Sequence, residues 1–448
     1  MAISRLLEVG KRSLISSQSA INTTANNIAN VNTPGYTRRR TNLYNVTLNG
    51  QIGIGVSADD ISRIHQGFVD QQLWKENHGL GNYETRSRVL SQMEAAFADS
   101  SDAGIRTALE EFWSSWNDLA DDPESGAARE IVRSHGEKLA RSFNNTHSSL
   151  RTQQQQSVRE LELQIDDVNL LTSRIASLNT EITRSNTPDL LDERDRLISD
   201  LSAKININVR EGDNGALNLS VNGINLVSGG ESLDLHSTTQ SENGLLSTAI
   251  TVADFEKPLE GLSGEAGALL DLVNNQISGY LQKLDTLASG VAESVNALHV
   301  NGMNLDDITG LNFFANAANG AAAIEVAPEI LADAGLIATR TAGSGSGNND
   351  IARQINELQY DNSFDSQTAA GFFSEMLSGL GNQLQESRAQ ENSQQLITGE
   401  LLSQKTSISG VSLDEEMTQL VQYEQSYEAA ARLVRTVDEL MDTLLSIV

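Results

Sequence analysis

The sequence has 448 residues, of which 39% are hydrophobic and only 4% aromatic, with a formal charge of −29 and no cysteine. That length holds two or three domains, and so few aromatics favour long, thin helical packing by aliphatic stripes over one thick core. The acidic surface repels phosphate backbones and anionic lipid, which speaks against nucleic-acid and membrane partners. The lack of cysteine removes disulfides, thiolate chemistry and cysteine zinc sites. Met1 to Ile21 mixes Arg5, Glu8, Lys11 and Arg12 with apolar residues, so no signal-peptide core is expected, and no stretch is long and apolar enough to span a membrane. By these rules alone the protein is cytoplasmic.

The chain opens with a helix expected to end near Asn30. Leu7, Leu14, Ile21 and Ile28 recur every seventh residue, and the other half of that seam, Gly10, Ser17 and Thr24, is small enough for a close partner helix. Asn22, Asn26 and Asn30 share one face, with Asn27 beside them. Two readings are open: the amides face solvent, or they pair with a neighbouring helix and fix its register. Asn32-Thr33-Pro34-Gly35 then suits a type II turn, and Arg38, Arg39 and Arg40 form a basic knot on either a solvated turn or an acidic neighbour.

Residues 86–205 read as helix, with Leu161, Ile165, Val168, Leu171, Ile175, Leu178 and Ile182 in one stripe and Pro188 opening a further helix. From 205 to 262 the period becomes two: Ile205, Ile207 and Val209 alternate, as do Leu217, Leu219 and Val221. Turns are expected at Asp213-Asn214-Gly215 and Asn222-Gly223. Helix resumes from about 266 to 300, a mixed, glycine-containing stretch fills 301–365, and helix returns over 366–408. Gly410 breaks it, and Ser412 to Glu415 matches a capping box. Leu420, Tyr423, Tyr427, Ala430, Val434, Val437, Met441, Leu444 and Val448 then fall at alternating steps of three and four, a heptad seam flanked by Leu413, Met417, Val421 and Leu440. All five prolines lie at boundaries between elements.

The fold class expected is mainly α with an inserted small β domain: an elongated molecule whose terminal helices form a coiled-coil-like pair at one end. Residues 1–60 plus 405–448 make a terminal helical domain, 61–204 plus 263–404 a helical-bundle rod, and 205–262 a small outer β domain.

No catalytic set emerges. None of the six histidines has a second histidine within a helical turn or belongs to an H-E-x-x-H pair. Asp189, Asp192, Glu193 and Asp195 interleave with Arg194 and Arg196, as on a solvated helix face with local ion pairs. Gly343 to Gly347 lacks the preceding strand and following helix of a phosphate loop. No catalytic, metal or cofactor residue is assigned.

The stretch Ala25-Asn-Asn-Ile-Ala-Asn-Val-Asn-Thr-Pro-Gly-Tyr-Thr-Arg38 resembles the N-terminal motif of flagellar rod, hook and hook-associated axial proteins. Four further segments narrow the resemblance to the hook-associated protein 1 family: Ser409 to Met417 with Tyr423 and Tyr427 to Arg432, Val437 to Leu445, Leu190 to Leu197, and Leu298 to Gly302 with Gly310 to Phe314. The resemblance implies a structural subunit at the hook–filament junction and not an enzyme, with no cofactor. It implies type III export without a cleavable signal and an extracellular location. The implied partners are other copies of the chain, the hook protein, a second junction protein, other axial proteins, and an export chaperone on the C-terminal helical region. Assembly then runs through Leu7, Leu14, Ile21, Asn22, Asn26, Asn27, Ile28, Asn30, Pro34, Gly35 and Tyr36 at one end. At the other it runs through Leu413, Met417, Leu420, Tyr423, Tyr427, Ala430, Val434, Val437, Met441 and Leu444. The alternatives are a distal rod or hook subunit and an axial protein bearing an adhesive outer domain.

Overall fold

The computed structural model describes residues 2–48, 52–97, 104–212, 215–242, 244–253 and 255–447. Helix accounts for 68% of the structure, which makes it mainly α. The chain begins with α1 (Ala2–Ala29), a hairpin of β1 (Arg39–Leu48) and β2 (Ile52–Arg63), α2 (Gly67–Phe97), α3 (Ile105–Asp121), α4 (Gly126–Arg184) and α5 (Pro188–Lys204). Strands β3 (Asn208–Glu211), β4 (Leu217–Val221), β5 (Ile224–Ser228) and β6 (Glu231–Ser232) follow, then β7 (Leu235–Glu242), β8 (Leu245–Val252) and β9 (Phe255–Pro258). A π-helical turn, Leu272–Ile277, joins α6 (Gly264–Asp271) to α7 (Ser278–His299). Short turns lead to α8 (Pro328–Ala332), α9 (Asp350–Glu357), α10 (Ala369–Ser409) and α11 (Leu413–Ile447).

The prolines act as the boundaries they were read to be. Pro34 follows α1, Pro123 separates α3 from α4, Pro188 and Pro328 open α5 and α8, and Pro258 ends β9, since proline has no N–H to give to a helix interior or a sheet ladder. The expected Asp213-Asn214 turn lies outside the described residues. Asn222 and Gly223, both at positive φ (49° and 88°), make the two-residue turn between β4 and β5.

The chain divides into two compact units. One comprises Met1–Leu80, Asp167–Asp234 and Ser393–Val448, the other Gly81–Asp166 and Leu235–Asn392. The strands of 205–262 form two separate antiparallel sheets, β3-β4-β5-β6 and β7-β8-β9, one in each unit. Each is pinned to a helix of its own unit by an asparagine. In the first, buried Asn179 of α4 donates to Leu217 O and Gly229 O, both at 2.8 Å, and accepts from Leu217 N. In the second, Asn274 of the π-helical turn accepts from Thr248 N and donates to Thr248 O, both at 2.8 Å. These bonds satisfy main-chain groups at sheet margins that the strands themselves leave unpaired. The hairpin β1–β2 was not anticipated.

The scarce aromatics are concentrated. Phe112 and Trp116 of α3 meet Phe313 and Phe314, with ring centroids 5.5 Å apart for Trp116–Phe313 and 5.6 Å for Phe112–Phe314. His299, at the end of α7, sits against this cluster. Its Nε2 accepts from Ala338 N at 2.9 Å and its Nδ1 donates to Leu311 O at 2.7 Å, the pattern of a neutral ring. Burial, helped by the nearby charge of Arg129, pushes its pKa down to about 4, against its bond to Leu311. The unfolded chain binds a proton near pH 6.5 that folded His299 refuses until about 4. Stability therefore falls as pH drops through that window, by ~3 kcal/mol from this group. Thermal melts between pH 7 and 4 should show a shallower decline in His299→Gln than in the natural chain.

Candidate functional site

The site lies in the first unit, where α1, α11 and the β1–β2 hairpin meet. Gly10 of α1 faces Val434 of α11, while Asn27 of α1 faces Glu416, so the two helices run antiparallel. The buried stripe of α1 is its small one: Gly10, Ser17, Ala20, Thr24 and Asn27. A Cβ on Gly10 would lie 2.7 Å from Val434 Cγ2, so only glycine allows this approach. On the adjoining face Ser16 donates to Val56 O at 2.9 Å and Thr41 to Thr23 at 2.8 Å, which fixes the hairpin to α1. Gly55, at φ +112°, lies over α1, where a Cβ would come within 3.2 Å of Arg12 Cβ and 3.4 Å of Val9 Cα. Small and hydroxyl residues thus let α1 be covered on two sides.

At the root of the helix pair sits a polar clasp. The Asn27 amide is 1% exposed and fully bonded. It donates to Glu416 Oε2 and Arg39 O, both at 2.9 Å, and accepts from Tyr36 OH at 2.9 Å and Arg39 N at 3.0 Å. Arg38 reaches Glu416 through Nε and Glu415 through a terminal nitrogen, both at 2.6 Å, and its own N–H donates to Ser409 O at 2.8 Å. Glu415 is thus taken by Arg38, not turned back on Ser412. Across the turn, Thr37 Oγ1 donates to Asp192 Oδ1 at 2.6 Å. Arg63 of β2 bridges Asp192 and Asp195 at 2.9 and 2.8 Å, and Arg39 bonds Asp189 while lying over the Tyr36 ring. Burial by itself disfavours the charge on Arg38, Arg39 and Arg63, but bonds to these carboxylates outweigh it and all three pKa values end above normal. Such a network adds modest net stability, but removing one member strands a buried charge at ~3–5 kcal/mol.

The sequence-derived assembly residues divide around this clasp. Asn27 and Tyr36 are members. Asn22 and Asn26 are exposed, and Asn30, one residue past α1, donates to Asn26 O at 2.9 Å. Pro34 and Gly35 form the exposed turn, with Gly35 at φ +80°. Leu14, Ile21 and Ile28 are half-buried and Leu7 exposed. On α11, Ala430 and Val437 are buried, Leu420, Tyr423 and Val434 half-buried, and Leu413, Met417, Tyr427 and Met441 exposed. The Leu444 side chain and Val448 lie outside the described residues. The reading from sequence missed Thr37, Arg63 and Glu416. It also treated Asp192 as part of a solvated face, whereas Asp192 is buried and is the acidic neighbour of the basic knot.

The clasp has no free chemistry. A cavity of about 380 Å³ beside it, lined in part by Tyr36, His65, Leu73 and Ile408, contains Asp70 and Lys405 already paired at 2.8 Å. Among the described residues no cluster of three or more potential metal ligands occurs, and no helix is long and apolar enough to cross a membrane.

Three family models match the chain: "Flagellar hook-associated protein FlgK helical domain" over residues 90–314, "Flagellar basal body rod FlgEFG protein C-terminal" over 403–447, and "Flagella basal body rod protein" over 7–37. Flagellar hook-associated protein 1 of Bacillus subtilis is 31% identical, over 98% of this chain and 97% of its own. The protein of the same name from Salmonella typhimurium is 26% identical over 99% of this chain and 100% of its own. A solved structure, the flagellar hook junction protein FlgK from Burkholderia pseudomallei, matches with a TM-score of 0.68 over 76% of this chain and 100% of that one. At 14% identity it attests the fold alone.

Asn27→Asp tests the clasp with almost no change of shape. It replaces the N–H donor to Glu416 by a carboxyl. Burial and the facing carboxylate raise the pKa of that new group, so the variant is nearest normal at low pH and loses stability as pH rises through the raised value. Amide exchange at the root of α11 should be faster than in the natural chain by ~3–5 kcal/mol equivalent at pH 8 and by much less at pH 5.

Proposed function

The chain belongs to the flagellar hook-associated protein 1 family, a family of flagellar structural proteins and not of enzymes, and we propose that within the flagellum it joins hook to filament. Its terminal helices, in segments 1–60 and 405–448, are the assembly domain. They pack against other copies, the hook protein and a second junction protein. The chain reaches that place outside the cell by type III export as an unfolded polypeptide, with a dedicated chaperone on its C-terminal helical region until then.

The observation that carries this reading is apolar surface left over after α1 and α11 have packed on each other. Leu6, Leu7 and Ile15 on α1, and Leu413, Met417, Val421, Leu440, Met441 and Leu445 on α11, all remain exposed, Leu445 at 74%. Scattered exposed leucines are ordinary, but this many on two paired helices are left uncovered by the described residues of the subunit. Burying one such side chain yields ~1.5–3 kcal/mol, so neighbouring copies and axial proteins supply what the monomer lacks. Freedom from cysteine suits the proposed export, since no disulfide has to form after transit.

Leu440→Asp with Leu445→Asp changes only exposed positions and should leave the free subunit's melting nearly unaltered. In a strain lacking its own copy, the double variant should leave hooks without filaments in electron micrographs, whereas the natural chain restores filaments. Filaments of normal number and length on cells carrying the variant would refute the reading.

The asparagines of α1 permit a second test. Asn22 and Asn26 are exposed in the subunit, so alanine at both should add ~1 kcal/mol of helix stability if they stay in solvent. If their amides bond to neighbours in the assembly, the same change leaves groups unsatisfied at ~1–3 kcal/mol each and repeats at every interface. The loss at the interfaces outweighs the gain in the helix, so swimming in soft agar should be impaired. Motility equal to or better than normal would assign the amides to solvent.

A further inference from the structure

The chain has six methionines and no cysteine, so thioethers are its only oxidisable sulfur. Met1 lies outside the described residues. Met93 and Met376 are buried and Met303 is half-buried. The exposed ones among the described residues are Met417 and Met441, at 51% and 43%, and both stand on α11. Met417 follows Glu416 of the clasp at the root of the helix, and Met441 lies near its tip between exposed Leu440 and Leu445.

We propose that Met417 and Met441 are oxidation sites, and that their conversion to sulfoxides by a hydroperoxide holds the subunit out of assembly until it is reversed. In the forward step the thioether sulfur attacks the terminal peroxide oxygen. The O–O bond breaks, an S–O bond forms, sulfur loses two electrons, and the peroxide leaves as water or an alcohol. Reversal takes two electrons and two protons from a dithiol through the stereospecific methionine sulfoxide reductases and releases water. Access selects the sites, because a buried sulfur offers the peroxide no approach, and no thiolate in the chain competes for it.

The consequence rests on the reading of α11 as an assembly face. A thioether is a pliable apolar group suited to filling gaps between packed helices, whereas its sulfoxide is a strong, rigidly placed acceptor. Covered by a neighbouring apolar surface, that oxygen loses its water and gains no donor. In the free subunit both positions are in solvent, so the oxidised chain folds as before and fails only when it docks. Once docked, the unoxidised sulfurs are shielded, so the sensitivity belongs to folded subunits that have not yet docked.

The test uses the full-length purified chain, graded hydrogen peroxide, peptide mass spectrometry, and sedimentation with isolated hooks. Added oxygen should appear on Met417 and Met441 roughly tenfold sooner than on Met93 or Met376. At the dose that marks only the first two, co-sedimentation should fall about tenfold, as expected for a polar group left unsatisfied in an interface. Sulfoxide reductases with dithiol should restore it. Met417→Leu with Met441→Leu, which removes both thioethers and keeps the apolar volume, should keep after the same dose whatever hook binding it shows before it. Equally fast oxidation of Met93, undiminished binding by doubly oxidised chain, or equal loss in the treated leucine variant would each overturn the inference. An untreated chain that never binds hooks would overturn the assembly reading and the consequence drawn from it, while the oxidation map would still judge the two sites.

Discussion

The first unit depends on one buried amide. Asn27 touches Glu416 of α11, the main chain of Arg39 at the start of β1, and Tyr36 of the intervening turn, so a single side chain ties the N-terminal helix, the C-terminal helix and the hairpin. An amide suits the place because it offers donors and an acceptor without charge. Glu416 already brings a negative charge that Arg38 balances. A hydrophobic residue there would leave Glu416 and Arg39 with unmet bonds, and a carboxylate would double the buried charge. The Gly10–Val434 approach at the other end of the pair follows from this anchor, because helices fixed at the root and running antiparallel can close only where their facing residues are small.

Much of this was legible in the sequence, and the exceptions have physical causes. Heptad spacing picked out Ala430 and Val437, which are buried, and Val434, which faces Gly10, but also Tyr427 and Met441, which are exposed in the subunit, while the prolines marked boundaries because their constraint is local. The α1 seam was read with the emphasis on Leu7, Leu14, Ile21 and Ile28, yet the deeply buried residues are the small ones between them. Burial between close helices selects for lack of volume, and hydrophobicity scales do not register that. The hairpin β1–β2 left a signal in the alternation of Ile52, Ile54 and Val56. Its strands are irregular, with register shifts near Asn42 and Asn45, and this blurs the period. The pairing of Arg38, Arg39 and Arg63 with Asp189, Asp192, Asp195 and the two glutamates could not be read from spacing, because partners so far apart in the chain are brought together only by the fold.

The β region repeats the pattern at larger scale. A change to a two-residue period reported correctly that strands occur between 205 and 262, but period says nothing of which strands share a sheet. The division falls after β6, and what assigns each sheet to its unit is a helix asparagine, Asn179 or Asn274, bonded to strand main chain. Both residues are unfavourable in a helix by propensity. An asparagine retained within a helical run is therefore a clue to a tertiary bond, a clue that also fits Asn27 in the last turn of α1.

The clasp has a mechanical side. Arg38 N–H to Ser409 O, Arg38 to Glu416 and Thr37 to Asp192 join the turn after α1 to other parts of the same unit, and Asn27 of α1 and Arg63 at the end of β2 bond the same two carboxylates, Glu416 and Asp192. Tension drawing the terminal helices away from that turn falls on these bonds side by side, so they share the load and must rupture together. Bonds loaded one after another would instead part in sequence like a zip, each at its own small force. In the junction role proposed above the subunit carries load between hook and filament, and a knot of bonds at the root of its helices is an arrangement that resists creep under it.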